Sequence, residues 1–267
     1  MNTILPTPCQ CESLGGTLSF SSWRWDGPAP TEPILIQACA SFATQLPMQS
    51  ATPRKDELLV RPRIGTSDTW PADIREFLQS DPLAVEQGYA LVISPTPGQG
   101  YPTATLYAVT ALGAAYGLLT LAQLAESTAS SHGIPAVRIF DKPDFRYRGI
   151  TWNIFGEIGQ WSYDWGDGID AFRRRVLRAL DIAFHHKLNL INIDGIGWNP
   201  ERFPGYGALM RELALAARQR NIRLLFAGYG AGYGAGKRHN GPTFLNRRQY
   251  PDGEIYSCYV KPECPEH

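Results

Sequence analysis

The segment PDFRYRGITWNIFGEIGQW, Pro143 to Trp161, decides how this chain divides. It opens on proline and charge and runs into an apolar, strand-like stretch, YRGITWNIF. It leaves that stretch through Gly156, Glu157, Gly159 and aromatic residues. Downstream, GDGIDAFRRRVLRALDIAFHHK carries Ile169, Phe172, Val176, Leu180 and Ala183 at helical spacing, with Arg173, Arg174, Arg175 and Arg178 on the remaining surface. Asp167 is the expected N-cap, with Asp170 three residues on in the manner of a capping box. LNLINIDGIGW reads as a second strand, ending in Asp194 and Trp198. YGALMRELALAARQRN reads as a second helix and IRLLFAGYG as a third strand. Strands and helices alternating through short connections predict parallel βαβ units. Residues just past the carboxyl ends of such strands meet on one face, where ligands bind. Glu157, Asp194, Trp198 and the glycine-rich loop are therefore expected to share a face.

Upstream of Pro143 the rhythm differs. LLVRPRIG, GYALVISP and TATLYAVT read as strands bounded by Gly and Pro. Ala111 to Ser127 reads as a helix so rich in Ala and Leu that it must pack on a sheet. AVRIFD, ending at Asp141, is one more strand. The expectation is an α+β domain over 1–142, followed by an α/β domain over 143–267.

Bulk properties exclude several classes. Twenty-five basic and 25 acidic residues give a net charge of +0, which predicts neither nucleic-acid binding nor attachment to a membrane surface. No apolar run approaches the ~20 residues of a membrane helix. The start, MNTILPTPCQCESLGG, lacks the basic and apolar regions of a secretory signal. As written the chain reads as cytoplasmic, and as secreted or periplasmic if its start lies elsewhere. The five cysteines are odd in number and scattered, so reduced thiols rather than a disulfide framework are expected. Cys9 and Cys11 lack the second cysteine pair of a zinc site. No metal and no cofactor is predicted, and the sequence leaves the oligomeric state open.

Carboxylates among aromatic residues suggest a sugar. Asp and Glu bind hydroxyls and supply acid–base chemistry, while Trp and Tyr offer flat faces to pyranose rings. Trp152, Trp161, Trp165, Trp198, Tyr163, Tyr206, Tyr229 and Tyr233 all fall in the second half, although core packing accounts equally well for aromatic residues. FAGYGAGYGAG, Phe226 to Gly236, matches a dinucleotide pattern in form. It lacks the helix that must follow to receive the phosphates, so it reads as a loop at the mouth of a site. His185 and His186 point about 100° apart on a helix, which excludes a shared metal and favours a role at the helix C-terminus. Asp56-Glu57 reads as a solvated turn, whereas Asp252 and Glu254, around a turn-forming glycine, fit a turn or a site.

Two stretches taken together resemble a known family. AAYGLLTLAQL, Ala114 to Leu124, is similar to a helix signature in the small domain preceding the barrel of family-20 glycoside hydrolases, the β-N-acetylhexosaminidases. PDFRYRGI, Pro143 to Ile150, resembles the entry into the first barrel strand of that family, HKLNLINIDGIGW its second strand, and RQRNIRLLF the approach to its third. The resemblance runs from about Leu58 to about Phe226. It implies the start of a TIM-type (β/α)₈ barrel, here about three βα units. It also implies an N-acetylhexosamine-containing glycan as substrate, with Arg148 binding hydroxyls of the terminal sugar; from their places past the second strand, Asp194 and Trp198 are expected beside it. The alternative for Arg148 is a structural salt bridge at the domain junction. In the family an aspartate and an Arg-His pair follow the first strand, and a proline-glycine-histidine element follows the third. This chain has Asn153 to Glu157 and the glycine-tyrosine loop instead.

The resemblance further implies a substrate-assisted retaining reaction, in which an aspartate orients the 2-acetamido group and the adjacent glutamate is the general acid. That pair follows the fourth barrel strand. A full barrel takes ~250 residues, about twice the stretch from Asp144 to His267. The chain is therefore expected to be the N-terminal part of a longer enzyme or a divergent product. Two other readings stand beside this one: a non-catalytic carbohydrate-binding protein, and a different glycosidase that uses Glu157 or Asp194 directly.

Overall fold

The computed structural model describes residues 4–46, 56–95, 102–127, 132–153, 169–194, 205–227, 247–249 and 255–257. The chain divides into two units, Met1–Arg146 and Tyr147–His267, with the boundary inside the segment quoted above.

The first unit is built on a mixed sheet. Its strands are β1 (Gln10–Phe20), β2 (Ser22–Trp25), β3 (Glu57–Ile64), β4 (Tyr89–Pro95), β5 (Pro102–Ala108), β6 (Glu126–Ser127) and β7 (His132–Asp141). They lie in the order β1-β7-β4-β5-β3-β2, with β6 paired to β7. The run β2-β3-β5 is parallel and the other pairings are antiparallel. The helices are α1 (Pro33–Gln45), α2 (Ala72–Leu78), α3 (Pro82–Gln87) and α4 (Ala111–Leu124).

The α4 segment is buried almost throughout, as its composition predicts, and glycine lets it sit close to its neighbours. A Cβ on Gly113 would lie 2.2 Å from the carbonyl oxygen of Gly88, and one on Gly117 would lie 2.2 Å from Leu106 Cδ1. The helix stops at Leu124, earlier than expected. Ala125 is extended, and Glu126–Ser127 pairs with β7 instead.

One face of β4 meets α4, where the Tyr89 hydroxyl contacts Thr120 Oγ1 at 2.5 Å and donates to Asp141 Oδ2 at 2.8 Å. Burial and the neighbouring Asp141 carboxylate hold the Tyr89 hydroxyl well above its ordinary pKa. A second cluster, of Trp70, Ile74, Leu78, Ala90 and Phe140, packs α2 against other residues of β4 and β7. Trp23, fully buried, joins β2 to α1. Its indole donates to the Leu46 carbonyl at 2.9 Å, and its ring meets Phe42 edge-on at 4.7 Å.

The expected solvated turn at Asp56-Glu57 is only half right. Asp56 is exposed and accepts from Ser21 Oγ at 2.5 Å. Glu57 begins β3 and is buried, with Arg24 Nε at 3.1 Å from its carboxylate. A buried carboxylate needs such a partner, and β2 supplies it across the sheet.

The second unit contains β8 (Gly149–Asn153), α5 (Ile169–His185), β9 (Leu190–Asp194), α6 (Tyr206–Gln219) and β10 (Arg223–Ala227), with a small hairpin of β11 (Arg247–Gln249) and β12 (Ile255–Ser257). The three longer strands form one parallel sheet in sequence order, β8-β9-β10. Phe172, Val176, Leu180 and Ala183 of α5 are buried, as the helical spacing predicts, and Phe184 is buried beside them. Asp170 stands in the first turn of α5, while the expected cap Asp167 lies outside the described residues. Arg173 of α5 makes a bidentate ion pair with Glu212 of α6, with Nε 2.8 and 2.9 Å from the two carboxylate oxygens.

Candidate functional site

The parallel sheet of the second unit has two differently built ends. At its amino end both helices stop in the same way. Lys187 and Asn221 adopt left-handed backbones, at φ 58° and 54°. Leu188 N–H donates to Ala183 O and Lys187 N–H to Phe184 O, and Ile222 and Asn221 repeat the pattern to Ala217 and Arg218. These are Schellman caps, which satisfy the last carbonyls of a helix and turn the chain sharply. They deliver it directly into β9 and β10. His185 and His186 support the first turn, each donating from Nδ1 at 2.8 Å to the carbonyl four residues back.

Arg148 and Asn189 close this end. The Arg148 N–H donates to Asn189 Oδ1 at 2.8 Å, and the Arg148 carbonyl accepts from both Asn189 and Leu190. The guanidinium Nη2 donates to the Lys187 carbonyl at 2.8 Å. Lys187 and Asn189 are buried. The RYRG and KLN stretches, about 40 residues apart, thus form one clasp. Gly149 is required there, because a Cβ on it would lie 2.3 Å from the Leu190 carbonyl oxygen.

At the carboxyl end, Asn153, Asp194 and Ala227 stand side by side in register, with Asp194 in the middle. One period back, Thr151, Asn192 and Leu225 form the next row on the same face. Asn192 Oδ1 is buried with no hydrogen-bond partner among the described residues. A buried acceptor left unpaired costs about 1–3 kcal/mol, so its presence beside Asp194 points to polar chemistry on this face. Thr151 and Leu225 in the same row are exposed. The intervening Ile191 and Ile193 are buried on the opposite side of β9.

The structure thus places Asp194 on the strand-end edge and Arg148 in the clasp, five residues or roughly 17 Å of strand away from Asn153. Glu157, Trp198, Asp252, Glu254 and the glycine-tyrosine loop from Gly228 onward lie outside the described residues. Asn192 was not singled out from the sequence. Its signal was the alternation in LINID, which puts residues 192 and 194 on one face.

Among the described residues no group of three or more His, Cys, Asp or Glu is placed to hold a metal, and no helix is long and apolar enough to cross a membrane. Cys9, Cys11 and Cys39 are free thiols, and burial pushes Cys39 up to about 12.

No family model matches the chain, and no curated protein matches it in sequence. Solved structures do match its fold. The GH20 exo-β-N-acetylglucosaminidase of Vibrio harveyi, solved in complex with N-acetylglucosamine, is similar with a TM-score of 0.53 at 17% identity, over 82% of this chain and 35% of its own. A glycoside hydrolase family 20 β-N-acetylglucosaminidase gives 0.53 at 19%, over 84% and 42%. CpGH84B gives 0.53 at 16%, over 84% and 36%. The chain therefore spans less than half the length of each. At these identities the likeness is one of fold: a mixed α/β architecture similar to that of glycoside hydrolases, family-20 enzymes among them.

Proposed function

We propose that this chain provides the α+β domain and the first three βα units of a family-20-type exo-β-N-acetylhexosaminidase, with the sugar pocket on the carboxyl edge of β8-β9-β10. The observation that carries the reading is the sheet itself. Three strands run parallel in sequence order, as at the start of a (β/α)₈ barrel, and set Asp194 between Asn153 and Ala227. Thr151 and Leu225, exposed on either side of Asn192, suit a face that further strands would enclose.

Asp194 accepts hydrogen bonds from sugar hydroxyls in this reading, and Trp198 walls the pocket. Arg148 is the hydroxyl donor that the family resemblance assigns. Its bond to the Lys187 carbonyl supports a second, structural role. The reaction is the substrate-assisted one, in which the 2-acetamido oxygen attacks the anomeric carbon while a glutamic acid protonates the departing glycosidic oxygen. The resemblance, which runs to Phe226, assigns no residue of this chain to that acid or its partner aspartate.

Two measurements test the proposal. Calorimetry with N-acetylglucosamine should show binding to the 267-residue protein that Asp194→Ala weakens by about 1.5–3 kcal/mol, the contribution of a charged hydrogen bond. The same protein should not turn over an aryl N-acetylglucosaminide, since general acid assistance alone supplies ~10²–10⁴-fold. Absence of sugar binding would overturn the reading. Turnover abolished by Glu157→Gln would establish instead a glycosidase that uses its own Glu157.

A further inference from the structure

The first unit carries a cavity of about 700 Å³, within the usual range for small-molecule sites. It lies where the parallel strands β2, β3 and β5 end, between Trp25, Pro62 to Ile64 and Tyr107, and it is completed by the segments that follow them. Carboxyl ends of parallel strands are where open α/β sheets bind ligands. The parallel run in this otherwise antiparallel sheet is confined to these three strands.

The lining combines flat rings with unengaged polar groups. Trp25 is half-buried, and its indole N–H is already satisfied by the Pro28 carbonyl at 2.7 Å, so what it has left to offer is its ring. Trp70 is nearly buried and braces Tyr107 edge-on at 5.5 Å. Arg63 is exposed on the rim. The other described arginines of this unit, Arg24, Arg61, Arg75, Arg138 and Arg146, each pair with a carboxylate, whereas Arg63 has no hydrogen-bond or ion-pair partner among the described residues. Glu32 occupies the N-cap position of α1, yet its side chain makes no capping bond. A fork of donors and a free carboxylate across aromatic faces match adjacent hydroxyls on a pyranose ring.

We infer that this groove is a second saccharide site, which holds a β-linked oligosaccharide of the polymer whose end the second unit engages. In that last clause the inference rests on the function proposed above. The groove itself is argued from its own residues.

Chitotetraose titrated into the whole chain, with hydrogen exchange read by mass spectrometry, tests it. Protection of residues 25–32 and 62–70 is expected. Arg63→Ala and Glu32→Gln should each weaken that binding about tenfold or more. Both side chains are exposed and make no described bond, so both variants should melt as the wild type does. Protection confined to residues 149–153 and 190–194 would overturn the groove while leaving the hexosaminidase reading intact. Unchanged affinity in both variants would overturn it too. So would decaproline binding in the groove in place of the sugar, which would make it an aromatic-lined peptide site.

Discussion

Met1–Arg146 clads its sheet on both sides. The α4 helix meets Tyr89 and Leu106, while α2 closes on Ala90 and Phe140. Tyr147–His267 buries Ile191 and Ile193 in the middle of one side of its three-stranded sheet, and among the described residues Thr151 and Leu225 are exposed on the other side and Ile150 at the edge. The difference teaches where each unit gets its order. In the first unit it comes from side-chain burial across layers. In the second, matching backbone turns at the amino ends of β9 and β10 add to the burial along its helices. A parallel sheet is normally buried on both faces, so the exposed edge positions Ile150, Thr151 and Leu225 mark where the second unit is least enclosed.

Four substitutions sharpen this contrast. Trp23→Ala should have the largest effect. It removes a fully buried ring and the bond that ties α1 to β2, so urea unfolding should show a loss of about 3–5 kcal/mol in the first unit. A loss below about 1 kcal/mol would mean that this layer is not what holds the unit together.

Gly149→Ala comes next. Its new Cβ meets the Leu190 backbone, which cannot move like a side-chain tip, and a loss of about 1–3 kcal/mol is expected in the second unit alone. Equal displacement of both unfolding transitions would show that the units are energetically coupled. Arg148→Ala at the same clasp separates its two roles. A melting point lowered by a few degrees with sugar affinity retained would make the guanidinium a structural clasp. Lost affinity at an unchanged melting point would make it a sugar ligand.

The smallest effect concerns acid. Asp81 caps α3 through Oδ1, at 2.8 and 2.9 Å from Leu83 N and Ala84 N, and its other oxygen pairs with Lys142. The Lys142 ammonium, followed by the backbone donors, holds its carboxyl below the usual range. A carboxyl depressed in the folded state contributes stability above its unfolded pKa, ~3.9, and loses that contribution as pH falls through the folded value. Asp81→Asn should therefore flatten the acid limb of the first unit's stability profile slightly, the effect being limited by exposure to water. An unaltered limb in thermal melts between pH 5 and pH 2 would remove Asp81 from the account.

The region before Leu58 was the least legible. β1 interrupts its pairing between Ser13 and Thr17, where Gly15 and Gly16 take φ near +80°, so alternation along it is broken. Glu57 was misread because charge in a sequence signals exposure until a partner such as Arg24 is seen across the sheet. The clasp was visible only as two family-like stretches, and their mutual hydrogen bonds could not be read from either.

The sequence by itself determined the elements whose signal is local. It specified the helix from Ala111, the amphipathic helix ending at His185, and the strand–helix alternation after Pro143, because hydrophobic period and turn chemistry act over a few residues. Tertiary structure alone decided which strands are neighbours, that Arg148 bonds to Lys187, and that Arg63 and Glu32 flank one groove. Those relations join residues tens of positions apart. They depend on how whole layers pack, and no local pattern encodes them.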